Sequence, residues 1–170
     1  MPIVRFINQL SLWSGRIGAL VVVPLVLAMV YEVVSRYAFA APTQWAFELS
    51  YMMMGTIFLL GLSYAVLMDQ HVNVDFIHQA LPRRAVATID AIGYILMAGM
   101  LAWLTNALIS NVISVYRTGE GTGLSAWNPP IWPYRAIYVV GFALFALQCA
   151  AKAIENLLVV FGRPSEGPTR

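Results

Sequence analysis

Two histidines and two aspartates crowd one polar interval of the chain: Asp69, His71, Asp75 and His78, within the stretch 68–84, MDQHVNVDFIHQALPRR. Imidazole and carboxylate side chains make transition-metal sites and general acid–base pairs, so these are the two chemistries to weigh first. A helix here would place His71 and Asp75 on one face, at i and i+4, as two potential ligands. The four residues match no compact zinc spacing, however, and the chain carries no GxSxG, P-loop, HExxH or dinucleotide fingerprint. The competing reading is a polar turn between two apolar segments, and the elements on either side decide between them.

Those elements are unusually apolar. Of 170 residues, 60% are hydrophobic and only 11% charged, and mean hydropathy is +0.73. A soluble domain has about 45–50% apolar and about 25% charged residues. Four runs each reach the roughly 20 residues that cross about 30 Å of hydrocarbon as a helix. The expected fold is therefore all-α and integral to the membrane, one domain of four transmembrane helices over about 14–36, 45–68, 88–115 and 134–160. Pro24 inside the first span is tolerable in a bundle whose neighbours satisfy the freed carbonyl. Ala38-Phe39-Ala40 resembles a signal-peptide cleavage site. The long apolar core before it, with Glu32 and Arg36 intervening, argues for retention as a first span.

Basic residues set the expected orientation. With the N-terminus cytoplasmic, that side holds Arg5, Arg16, Arg83, Arg84, Lys152, Arg163 and Arg170, and the outer loops hold Arg36, Arg117 and Arg135. Seven against three predicts both termini inside, a cytoplasmic loop over 69–84 and a periplasmic loop over 117–133. The outer loop, RTGEGTGLSAWNPPIWP, is too rich in glycine and proline for a regular helix. Its Trp127 and Trp132 suit headgroup-level anchors or a docking surface, and Pro133 suits the start of the fourth helix. The basic residues are scattered rather than clustered, so nucleic acid is no expected partner, whereas membrane lipid is. Cys149 lies alone in an apolar run, without a disulfide or metal spacing.

Ionisable groups inside a membrane are costly enough to imply a purpose. Glu32, Glu48 and Asp90 all lie near the ends of their spans, with none at a midplane, and no internal repeat marks a self-sufficient ion-coupled carrier. Glu32 is placed to pair with Arg36 at i+4, and Glu48 to meet Arg36 or to favour the start of the second helix. Gly61 and Ala65, like Ala146 and Ala150, form small-xxx-small pairs that permit close helix approach. Asn106, Ser110 and Ser114 recur every four residues on the third span, a polar stripe that marks either the internal core or a seam with another subunit. The histidines fall outside every apolar core, which disfavours a haem-carrying anchor.

Several segments resemble a known family: TQWAFELSYMMMG at the second span, GLSYAVLMDQHVNVDFIHQALPRR across the inner turn, and GLSAWNPPIWPYRAIYVVGFAL into the fourth span. They are similar to the small permease subunit, the DctQ type, of tripartite ATP-independent periplasmic (TRAP) transporters. The markers are Trp45 and Glu48 in a WxxE, Gly61, and HVNVD with His71 and Asp75, followed by LP and basic residues. The resemblance implies a bacterial inner-membrane complex in which a periplasmic substrate-binding protein captures an organic acid. A large permease subunit (DctM type) would then move it by an elevator mechanism driven by sodium. The present chain would be the membrane scaffold. Sodium and substrate ligands are then expected in the large subunit, with no catalytic, substrate-binding, metal or cofactor site here. Trp45, Glu48, Gly61, His71, Asp75, Asn106, Ser110, Trp127 and Trp132 are the residues expected in structural or subunit contacts. Two readings from other classes stay open on the residues alone: an anchor or cytochrome-like subunit of a respiratory enzyme, and a small autonomous exporter using Glu32 or Glu48.

Overall fold

The long apolar runs form helices because a helix is the one open-ended structure that satisfies its own backbone in hydrocarbon. The computed structural model describes residues 2–68 and 82–161. Four helices account for nearly all of them: α1 Pro2–Ala38, α2 Ala46–Leu67, α3 Arg83–Thr118 and α4 Trp132–Val160. Each is long and apolar enough to cross a membrane. Large apolar side chains such as Leu20, Leu27, Phe58, Leu96 and Trp103 stand fully outward, the pattern of a surface solvated by lipid.

Helix ends follow local chemistry. Pro82, extended at φ −64° and ψ 145°, precedes α3, and Gly119 closes it in the left-handed conformation (φ 65°), its N–H donating to the Val115 carbonyl at 3.0 Å. Pro133 sits in the first turn of α4, where its missing N–H costs nothing. Helix α1 starts well before the apolar run. At 37 residues it is about 55 Å long, beyond the roughly 30 Å of a hydrocarbon core. Its N-terminal part continues as helix because Val4 and Ile7 bury themselves against Ala151 of α4.

The helices lie in the order α1, α2, α4, α3. Among the described residues α1 packs along α2, α2 along α4, and α3 along α4 alone, while α1 also reaches α4. Helix α4 is thus the hub. Val66, Leu101, Phe145 and Cys149 bring α2, α3 and α4 into one buried cluster, ringed by Leu62, Tyr94 and Met97. Glycines permit close approaches, at Gly55 of α2 beneath the Tyr134 ring of α4 and at two further points. A methyl group at Gly15 would stand 2.6 Å from the Tyr64 ring, and one at Gly141 would stand 2.8 Å from Cβ of Leu59. Bare backbone at these points lets α1 meet α2 and α4 meet α2 nearly in contact.

Candidate functional site

The buried polar groups collect at the two ends of the bundle. At the end carrying the 39–45 and 119–131 connections, Glu32 of α1 is the first anchor. Arg36, one turn on, donates from Nε to its Oε1 at 3.0 Å and also from Nη2. The other oxygen, Oε2, accepts from the Thr43 N–H at 2.9 Å and from the Thr43 hydroxyl. The carboxylate therefore ties the end of α1 to the turn leading into α2, and Tyr31 stacks on Trp45 beside it, 5.8 Å between ring centres.

Glu48, in the first turn of α2, is the second anchor and is completely buried. It reaches across the fold rather than to Arg36: the Thr122 hydroxyl donates to its Oε2 at 2.7 Å. Oε1 has no hydrogen-bond partner among the described residues, nor has the hydroxyl of Ser50, two residues on. The loop that carries Thr122 is itself built by hydrogen bonds. Thr122 N–H donates to the Pro129 carbonyl, Ile131 N–H to the Glu120 carbonyl, both at 3.1 Å, and Gly123 N–H to Oδ1 of Asn128 at 2.8 Å. Gly123 (φ 66°) and Asn128 (φ 39°) supply the left-handed residues its turns require. Arg135 fastens the loop to both flanking helices, 3.7 Å from Glu120 and donating to Asn111 at 2.7 Å. Below it, Tyr138 donates to the Tyr134 hydroxyl at 2.7 Å, and Tyr134 packs on Tyr51 and against Gly55 of α2.

At the opposite end three helices share an uncharged network. Ser11 donates to Oε1 of Gln148 at 2.8 Å, and Nε2 of Gln148 donates to Asn8 at 3.0 Å. Ser14 meets Ser63 at 2.8 Å and also donates to the Leu60 carbonyl at 3.1 Å. Gln148, Ser11, Ser14 and Ser63 are all buried. Such bonds join α1, α2 and α4 where no hydrophobic force acts between helices in lipid. Lys152 lies 3.8 Å from Glu155, one turn further along α4.

The residues singled out in the sequence fall at different places. Glu48 is a buried anchor, Trp45 caps α2 while stacking on Tyr31, and Trp132 meets Tyr116 edge-on at 5.4 Å. Trp127 stands half-exposed on the loop. Gly61 faces open space: a methyl group there would meet nothing within 4 Å. Asn106 and Ser110 are exposed and face away from the packed interior. His71 and Asp75, with Asp69 and His78, lie outside the described residues. Among the described residues no three His, Cys, Asp or Glu side chains converge on a point that could hold a metal ion. The partners Thr122, Tyr134, Ser63 and Gln148 were not legible as such. Gln148 and Ser63 carried the one usable signal, a lone hydrogen-bonding side chain in an apolar run.

These features define a class: a multi-pass helical membrane protein whose buried polar groups serve mainly to hold its own helices and loops together. Residues 25–159 match the family model for the DctQ component of tripartite ATP-independent periplasmic transporters. The chain belongs to that family, and is a membrane subunit of a TRAP transporter in the bacterial inner membrane, one component of a multi-part system. It is also similar to the sialic acid TRAP transporter permease protein SiaT of Haemophilus influenzae (strain 86-028NP), 29% identical over 80 residues. That stretch is 47% of this chain but only 12% of the relative, which is thus a far longer polypeptide.

Proposed function

We propose that this chain is the small scaffold subunit of a sodium-coupled secondary transporter that imports an organic acid delivered by a periplasmic binding protein. The observation that carries this reading is how the polar groups are used. Glu32 is consumed by Arg36 and Thr43, Glu48 holds Thr122, and at the other end of the bundle Ser14 bonds Ser63 while Ser11 bonds Gln148. A carrier needs ligands left open at mid-depth for its ion and substrate. In this reading those ligands, sodium included, belong to the large permease subunit, and this chain binds no cofactor. The relative supports a partner of that kind, because the shared stretch is a small part of one permease polypeptide there. Both termini are assigned to the cytoplasm on the seven-to-three bias of basic residues. The loop at 119–131 is then periplasmic, on the side where a binding protein would dock.

Co-production with the cognate large permease tests the reading. The two chains are expected to purify together through size exclusion in mild detergent. A chain that elutes alone, monodisperse and free of the permease, would sink the scaffold assignment.

A further inference from the structure

Among the described residues helix α3 has one helical neighbour, and its two faces differ accordingly. Ala87, Ala91, Leu101 and Val115 are buried on the side toward α4. At 100° per residue, Asn106, Ser110 and Ser114 point the opposite way, with Trp103 continuing the row, and all four are exposed. None of the hydrogen bonds among the described residues involves the Asn106 carboxamide; its backbone carbonyl accepts from Ser110 at 3.4 Å.

The depth of that carboxamide follows from the register of the bundle. Asn111 meets Arg135, and Met97 meets Cys149 at 3.5 Å, so α3 and α4 run antiparallel with Asn106 level with Val140. Gly141, the next residue, abuts Leu59, which is near the middle of α2, Ala46–Leu67. Asn106 is therefore close to the midplane of the shortest span. A carboxamide at that depth, turned away from its own bundle, has no water to bond and would face hydrocarbon, where an unsatisfied polar group costs several kcal/mol. The apolar faces of α1 and α2 carry no comparable penalty, since Leu20, Val23, Leu27 and Phe58 are at ease in lipid.

We infer that the Trp103–Asn106–Ser110–Ser114 face of α3 is the seat of a transmembrane helix of the large permease subunit, which supplies a hydrogen-bonding group opposite Asn106. This rests on the scaffold reading above. The small side chains Ser110 and Ser114 let the incoming backbone approach toward the loop end, and Trp103 packs along its flank toward the other. A second copy of this chain is the competing occupant, and the experiment separates the two.

The intact complex with the cognate permease is produced with a benzoylphenylalanine photocrosslinker at position 106 or 110. Both positions are expected to give covalent adducts with the large subunit, identified by mass spectrometry. In the same complex without crosslinker, Asn106→Leu should weaken association roughly threefold to twentyfold, the range of single interhelical hydrogen bonds in membranes. Val23→Leu, on the lipid face of α1, should leave it unchanged. Three results would overturn the inference while leaving the scaffold reading intact: no adduct from either position in a complex that still co-purifies, adducts joining two copies of this chain, or an Asn106→Leu complex as tight as the parent. Failure of the unmodified chains to co-purify would instead remove the scaffold reading on which the inference stands.

Discussion

Thr122→Val will loosen the 119–131 loop and lower the thermal stability of the subunit, measured in detergent, by about 1–3 kcal/mol, the cost of stranding a buried polar partner. Among the described residues the Thr122 hydroxyl alone donates a hydrogen bond to the Glu48 side chain, which is fully buried with its other oxygen unpartnered. Valine matches threonine in shape but not in hydrogen bonding, so the variant isolates the bond from the packing. The loop retains its own bonds, Thr122 N–H to Pro129 and Ile131 N–H to Glu120, so it should keep its local turns while losing its fastening to α2. Limited trypsin digestion at Arg117 and Arg135 should accelerate in parallel. The double variant Thr122→Val with Glu48→Leu should recover most of the lost stability, because removing both partners leaves no orphaned group. Recovery that is absent, or a single variant as stable as the parent, would show that Glu48 does not depend on this contact.

Gly141→Leu will force α4 away from α2. The first carbon of any side chain there already stands 2.8 Å from Cβ of Leu59 and 3.4 Å from its backbone, so neither a rotamer change nor a small shift clears it. Overpacking of this kind costs about 1–3 kcal/mol and occasionally more, and here it acts at the hub of the bundle. The expected readout is loss of the monodisperse peak in fluorescence-detected size exclusion, with Gly141→Ala intermediate. Gly61→Leu is the matched control: the first carbon of a side chain there meets no described atom within 4 Å, so the isolated subunit should tolerate it.

The contrast between those two glycines shows what periodicity reveals and what it hides. The four apolar runs, the i+4 pairing of Glu32 with Arg36 and the proline at the start of α4 are local facts, set by composition and helix geometry, and they are legible along the chain. A small residue at the right spacing says that a helix could approach, but not whether one does. Gly61 and Ala65 have that spacing, yet a side chain is excluded at Gly15, Gly55 and Gly141 instead, chosen by how α1, α2 and α4 pair. Glu48 teaches the same lesson. The sequence suggested either Arg36 as a partner or a place at the start of the second helix; Glu48 does lie in that first turn, but Arg36 is taken by Glu32 and the donor to Glu48 is Thr122, 74 residues on. The bonds from Gln148 to both Asn8 and Ser11 likewise join residues about 140 apart, a distance no pattern along the chain encodes.

The polar stripe on α3 falls between these cases. Its spacing was plain in the sequence, but not which way it faced. Only the pairing of α3 with α4 alone, fixed by Ala91, Leu101 and Val115, turns Asn106 and Ser110 outward and makes them a question about another protein.

The scaffold assignment is tested most directly by transport in proteoliposomes under an inward sodium gradient, with the binding protein and its bound organic acid outside. Three preparations are compared: this subunit alone, the large permease alone, and the two together. The account predicts substrate uptake only for the two together, and none for this subunit alone. Uptake by this subunit alone, abolished by Glu32→Gln or Glu48→Gln, would contradict it and make the chain a carrier in its own right.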